Sequence, residues 1–384
     1  RRGPGARRGA CPVQDSRSRP TVKRVVEVTR STRDVGALRD RLGAWLSEQA
    51  GSPVEVGEVE VPASNGMSSE TVLLDAVWDG SSHRLVARLA PEASAVPVFP
   101  SYDLGKQAQV MTEARLGSDV PIPEVLWSEP TGAAVGTPFF VMRRVEGRVP
   151  PDVMPYNFDS WVSQATPQQR AQLQSSSVSV LARLHAIDSP AERFAFLELD
   201  RPGDTAMRRQ LADQAAYYEW ARGGWSVPII ERTFRWLEDR FPDDEGDAVL
   251  CWGDARIGNL MFEPDGFEPV AVLDWEMAVL APPEVDLAWF CYIHTFFEDL
   301  AQTFEVPGLP DFLRLDDVAA TYEARSGRAP RHLDWYTVYA ALRYAIVSVR
   351  TTKRGIHFGD QQLPDDLDDL VMHRAGLERL LGKG

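Results

Sequence analysis

Apolar residues first recur at helical spacing in Leu38, Leu42, Trp45 and Leu46, which share one face. That stripe predicts a helix over 34–50, stopped by Gly51-Ser52-Pro53. The pattern then changes. Val54–Val61, Thr71–Trp78 and Arg84–Leu89 read as adjoining antiparallel strands, separated by Gly/Ser/Asn-rich turns at 64–69 and 79–82. A helix over 104–116 and two further strands, 120–125 and 138–142, follow. Beyond residue 150 apolar stripes predict helices over 173–184, 211–222, 229–240, 284–297, 315–326 and 334–352. Inside this helical half, Met261-Phe262 and Val270–Leu273 read as two short strands joined across Pro264-Asp265-Gly266. No internal repeat is visible.

Composition narrows the field. The 384 residues have the apolar and charged fractions of an ordinary globular protein. A net charge of −15 argues against a nucleic-acid partner, because phosphate backbones need a basic footprint. Residues 1–24 alone carry +7, and 1–30 read as a disordered basic tail outside the fold. Cys11, Cys251 and Cys291 are too few and scattered for a disulfide framework or a metal knot, and the last two read as small core residues. No apolar run reaches the length of a membrane span and no signal-peptide core is present, so the expected location is cytoplasmic, with no membrane partner. Oligomeric state is not legible.

The chemistry concentrates between Leu250 and Glu276. Asp254 precedes Asn259 by five residues, and Asp274 follows the second short strand, which returns it towards that loop. Two carboxylates and an amide so placed suit orienting a hydroxyl nucleophile and holding Mg²⁺ on nucleotide phosphates, although Asp, Asn and Gly are also ordinary turn residues. No G-x-x-x-x-G-K-[ST] loop occurs.

The string Trp252-Gly253-Asp254, Asn259, Leu273-Asp274-Trp275-Glu276 and Asp286-Leu287-Ala288 resembles the catalytic segment of the aminoglycoside phosphotransferase and choline kinase-like family. It is similar to the branch related to the kinase portions fused to some acyl-CoA dehydrogenases. The resemblance implies an α+β, bilobal protein-kinase-like fold: a small N-terminal lobe (31–145) with an antiparallel sheet plus a helix, and a larger, mostly helical C-terminal lobe (146–384). It also implies transfer of the γ-phosphoryl group of ATP or GTP to a hydroxyl of a small molecule. A non-catalytic nucleotide-binding protein of the same fold is the alternative.

On this resemblance Asp254 accepts or orients the hydroxyl proton, and Asn259 and Asp274 hold Mg²⁺. Arg256 either neutralises the transferred group or forms a structural salt bridge. Arg88, on the third strand, reaches the phosphates, with Ser68 and Ser69 in the loop that covers them. Phe140, Val141 and Met142 are candidates both for walls around the nucleotide base and for plain core. Asp286 pins the catalytic loop, and Glu276 is a candidate to extend the metal shell. His185 is expected to pack on its helix and bond a backbone carbonyl. Two positions depart from the family pattern: Trp252 stands where the His of H-G-D is usual, and Gln107 where a Glu usually pairs with the third-strand cation. Gln107 puts that ion pair in doubt and leaves open only a weaker hydrogen bond to Arg88. The acceptor itself, whether aminoglycoside, macrolide, amine alcohol, sugar or hydroxy acid, is not written in the motif.

Overall fold

The computed structural model describes residues 33–62, 69–91 and 96–382. The basic tail and Ser68 lie outside them. Helix α1 (Val35–Ala50) precedes strands β1 (Glu55–Glu60), β2 (Glu70–Trp78) and β3 (Ser81–Leu89). Helix α2 (Leu104–Gly117) then crosses to β4 (Val125–Glu129) and β5 (Phe139–Arg143). The five strands form one antiparallel sheet in the order β1-β2-β3-β5-β4.

Side-chain alternation along β5 divides its residues between two faces. Phe139 and Val141 pack with Leu42, Trp45 and Leu46 of α1, and the Trp45 ring meets Phe139 edge-on at 4.7 Å. Burying each of these large side chains contributes about 1.5–3 kcal/mol. Phe140 and Met142 turn the other way, with Val86 of β3, into a cluster that continues through α2 to the helical half. Arg88 shares that face, paired in register with Phe140.

The expected strand over 120–125 is displaced to β4. Pro121 and Pro123 have no N–H to donate to a ladder, so the chain enters the sheet only at Val125. Val120 and Ile122 are nevertheless buried, and the Pro121 carbonyl accepts from the Val272 amide at 2.8 Å, tying this segment to the later hairpin.

The helical half comprises α3 (Pro167–Leu184), α4 (Pro190–Arg193), α5 (Ala206–Arg222), α6 (Pro228–Asp239), α7 (Glu284–Thr303), α8 (Leu315–Ser326), α9 (Leu333–His357) and α10 (Arg374–Leu381). Within it β7 (Leu260–Phe262) pairs with β8 (Pro269–Val272), at the positions the apolar pattern indicates. A second pair, β6 (Val249–Cys251) with β9 (Val279–Ala281), was not anticipated, because three-residue apolar runs carry no readable period. Among the described residues no helix is long and apolar enough to cross a membrane.

Two buried imidazoles stitch the helical half together as neutral rings. His294 takes the Tyr156 hydroxyl at 2.8 Å on Nδ1 and reaches the Leu309 carbonyl at 3.1 Å with Nε2, while His373 Nε2 reaches the Ala341 carbonyl at 3.0 Å. Burial pushes both down from 6.5 to about 4. Between those values the unfolded chain binds protons that the folded chain refuses, so stability falls as pH drops through this window. Each histidine contributes at most about 1.4 kcal/mol per pH unit. Urea unfolding at pH 7, 6 and 5 should show that decline, and His373→Gln, which keeps a donor for Ala341, should flatten it. An equally steep decline in the variant would count against this origin.

Candidate active site

Strand β6 delivers the chain into a turn at Trp252-Gly253-Asp254 that is fixed from below. The fully buried Asp286 carboxylate, in the first turn of α7, accepts the backbone N–H of Trp252 at 2.7 Å and of Gly253 at 2.8 Å. His185 Nε2 meets the same carboxylate at 3.1 Å, and its Nδ1 pairs with the Tyr322 hydroxyl at 3.0 Å. His185 thus serves the Trp252–Asp254 turn through a carboxylate, not a backbone carbonyl as expected. Gly253 has φ +89°, and a Cβ there would run into the Met277 carbonyl, so the turn requires glycine. Arg343 of α9 donates to the Gly253 carbonyl at 2.9 Å.

Asp254 emerges from this turn, 8% exposed. Its Oδ1 accepts the Trp289 indole N–H at 2.8 Å and its Oδ2 the Asn259 amide at 2.7 Å; Arg256 Nε lies 3.1 Å from both oxygens. Burial pushes the carboxyl up to about 6, against the pull of the Trp289 and Asn259 hydrogen bonds and with help from nearby Asp274. At pH 7 it is mainly ionised and able to accept a proton. Trp289 was not singled out from the sequence. The signal was present, since it stands three residues after Asp286 and therefore on the same helix face.

Asp274 follows β8 with φ +53°, a left-handed conformation costing a non-glycine residue about 1 kcal/mol. The Trp252 indole N–H holds it there, donating to the carbonyls of Leu273 at 2.8 Å and Asp274 at 3.1 Å. The tryptophan in the usual histidine position therefore ties the Asp254 turn to the Asp274 turn through its one donor. Arg88 forms an ion pair with Asp274 and donates to Thr71 at 2.7 Å. These bonds run to Asp274 and Thr71, and the hydrogen bond to Gln107 that the sequence left open is not made.

Arg88, Asp274, Phe140, Met142, Gln107 and Trp275 line a cavity of about 260 Å³. Val141 faces α1 across the sheet, and Ser69 is buried at the head of β2 outside that lining. Asn259 commits its Nδ2 to Asp254, leaving its carbonyl oxygen as an acceptor. With the Asp274 carboxylate this gives oxygen donors of the kind a hard cation such as Mg²⁺ prefers.

A larger cavity, about 480 Å³, adjoins the first across Gln107 and Trp275, which line both. Phe99, Tyr102, Tyr217 and Trp220 form its aromatic walls, and Arg343 extends it towards the Gly253 turn. Glu276 lines this larger space. One wall reaches over from the sheet side: the Val98 carbonyl accepts from the Tyr217 hydroxyl at 3.0 Å, and Arg350 holds the Pro97 carbonyl at 2.6 Å.

Two substitutions probe this geometry. Trp252→Phe removes the indole donor but keeps the ring, and is expected to cost about 1–3 kcal/mol of stability, since two buried carbonyls lose their partner. Asp254→Asn removes a charge whose burial opposes folding, so it should raise stability at pH 7 by about 1–2 kcal/mol and lose that advantage as pH falls from about 6 to about 4. Denaturant titrations read both, and a destabilised Asp254→Asn would show that the carboxylate is held more favourably than its raised pKa implies.

Comparison with known proteins agrees with this picture. The profile of the phosphotransferase enzyme family (APH) matches residues 60–335. Acyl-CoA dehydrogenase family member 11 of Rattus norvegicus is 27% identical over 279 residues, covering 71% of this chain and 33% of that protein. Family member 10 of Mus musculus is 28% identical over 255 residues, covering 66% and 22%. The chain thus spans a third or less of the length of these relatives. Among solved structures, a Ralstonia eutropha protein described as an aminoglycoside phosphotransferase has a TM-score of 0.65 at 23% identity, covering 90% of this chain and 97% of that one. A thermostable variant of aminoglycoside phosphotransferase APH(4)-Ia, in ternary complex with ADP and hygromycin B, has a TM-score of 0.55 at 16% identity, covering 89% and 98%. The fold is that of the aminoglycoside phosphotransferases, an antiparallel sheet followed by a mostly helical part. With the family profile spanning well over half of its length, the chain belongs to the phosphotransferase enzyme family.

Proposed function

We propose that this chain is a small-molecule kinase that moves the γ-phosphoryl group of ATP or GTP to a hydroxyl of a small acceptor. The observation that carries this reading is the buried Asp254 carboxylate, oriented by Trp289 and Asn259 and close enough to Asp274 for the two charges to interact. Phosphoryl transfer asks a protein mainly to position reactants and neutralise charge. The acceptor oxygen bonds to the γ-phosphorus, the bridging bond to the β-phosphate breaks, and the hydroxyl proton passes to Asp254.

The smaller cavity suits the nucleotide. Phe140 and Met142 offer apolar walls for the base, and Arg88 a cation for the phosphates. Bound Mg²⁺ supplies positive charge against the phosphate oxygens, and the residues that would hold it are Asp274 and Asn259. Nucleotide entry would also release Arg88 and Asp274 from one another, since each then meets its own partner. A relative in fold that carries ADP beside an aminoglycoside supports the donor assignment.

The larger cavity suits the acceptor. Its aromatic walls favour a molecule with an apolar body, and its rim carries both signs of charge: carboxylates from Asp103, Asp213 and Glu276 and cations from Lys106, Arg201 and Arg343, with Asp213 paired to Arg201 at 2.8 Å.

A panel of hydroxylated compounds incubated with Mg-ATP or Mg-GTP should yield a phosphorylated product. Asp254→Ala should lower kcat by about 10²–10⁴-fold while nucleotide still binds, as followed by calorimetry. Full activity in that variant would refute the assignment.

A further inference from the structure

We infer that Asp152 is a positioning residue for phosphoryl transfer, acting through Arg256; the inference rests on the kinase reading above. Asp152 belongs to the segment that follows β5. That segment is pinned to β7 by a reciprocal pair of hydrogen bonds, Arg148 N–H to the Phe262 carbonyl and Phe262 N–H to the Arg148 carbonyl, both 2.9 Å. Pro150 and Pro151 stiffen the step from this bridge to Asp152. The Asp152 carboxylate then lies over the catalytic loop, where its Oδ2 binds Arg256 Nη1. Its other oxygen packs against Gly258, next to Asn259, where a Cβ would collide with the carboxylate. That oxygen is buried and has no hydrogen-bond partner among the described residues.

A carboxylate beside a phosphate site is unfavourable unless it does something for a cation there. Arg256 touches Asp254 through Nε alone, 3.1 Å from each oxygen, while Asp152 engages the end of the guanidinium. Without Asp152 the guanidinium would be drawn into a two-pronged pair with Asp254, the geometry arginine and carboxylate prefer. That pair would cover the oxygens needed for the hydroxyl proton and turn the cation away from the transferred group. Asp152 thus keeps Arg256 beside Asp254 without letting it close over it.

The test is a mutant cycle read in both kinetics and stability. Asp152→Asn, which keeps the shape, should lower kcat by about tenfold or more while the nucleotide KM stays within about twofold. Gly258→Ala should reproduce this split, because its methyl group displaces the Asp152 carboxylate without changing any charge. In an Arg256→Gln background, Asp152→Asn should have no further effect on kcat, and denaturant unfolding of the unliganded variants should show the same coupling. Additive losses in the two backgrounds, or a loss confined to KM, would overturn the inference while leaving the kinase reading intact. A wild-type chain that turns over no nucleotide with any acceptor or with water would overturn the kinase reading and this inference with it.

Discussion

The site depends on one buried anion. Asp286 is fully enclosed, and a carboxylate in such surroundings is tolerated only when its lone pairs are taken up by good donors. Those donors are the backbone N–H groups of Trp252 and Gly253 together with the His185 ring, so satisfying the carboxylate and shaping the turn that carries Asp254 are the same event. Through His185 and Tyr322 the constraint extends to α3 and α8, and through the helix that carries Asp286 to Trp289 and hence to Asp254. A loop of irregular backbone acquires in this way the rigidity of three helices.

Trp252 completes that arrangement across the hairpin. A histidine in its place could offer two ring nitrogens, whereas the indole has a single N–H and spends it on the carbonyls of Leu273 and Asp274. The rest of the ring is buried beside Trp275 at 6.3 Å. Trp252 therefore links the two acidic turns with one donor and holds the rest of the ring by packing.

Much of this was legible in the residues. The α1 stripe, the first three strands, the β7–β8 hairpin and the spacing of Asp254, Asn259 and Asp274 all follow from periodicity and turn chemistry, and the structure puts them where those patterns point. What escaped was information held between distant segments. Val141 and its neighbours Phe140 and Met142 are indistinguishable as letters, and only the sheet register assigns Val141 to α1 and the other two to the cavity. Arg88 was read as a phosphate cation, but its resting partner Asp274 lies far along the chain. Asp152 carries no signal of its own along the chain, because its meaning comes from Gly258 and Arg256. His185 misled for the same reason: its partner is a carboxylate on another helix.

Gln107 and Trp275 form a shared partition, each presenting a surface to both cavities. Two chambers divided by a party wall cannot be remodelled independently. A change at either residue that enlarges one cavity also alters the other, so on the proposed reading room for a bulkier acceptor is gained at the expense of the nucleotide's surroundings. Diversification of acceptor range in this chain would therefore run more freely through the outer walls, at Phe99, Tyr102, Tyr217 and Trp220, than through the residues nearest the chemistry. The partition confines innovation to the periphery.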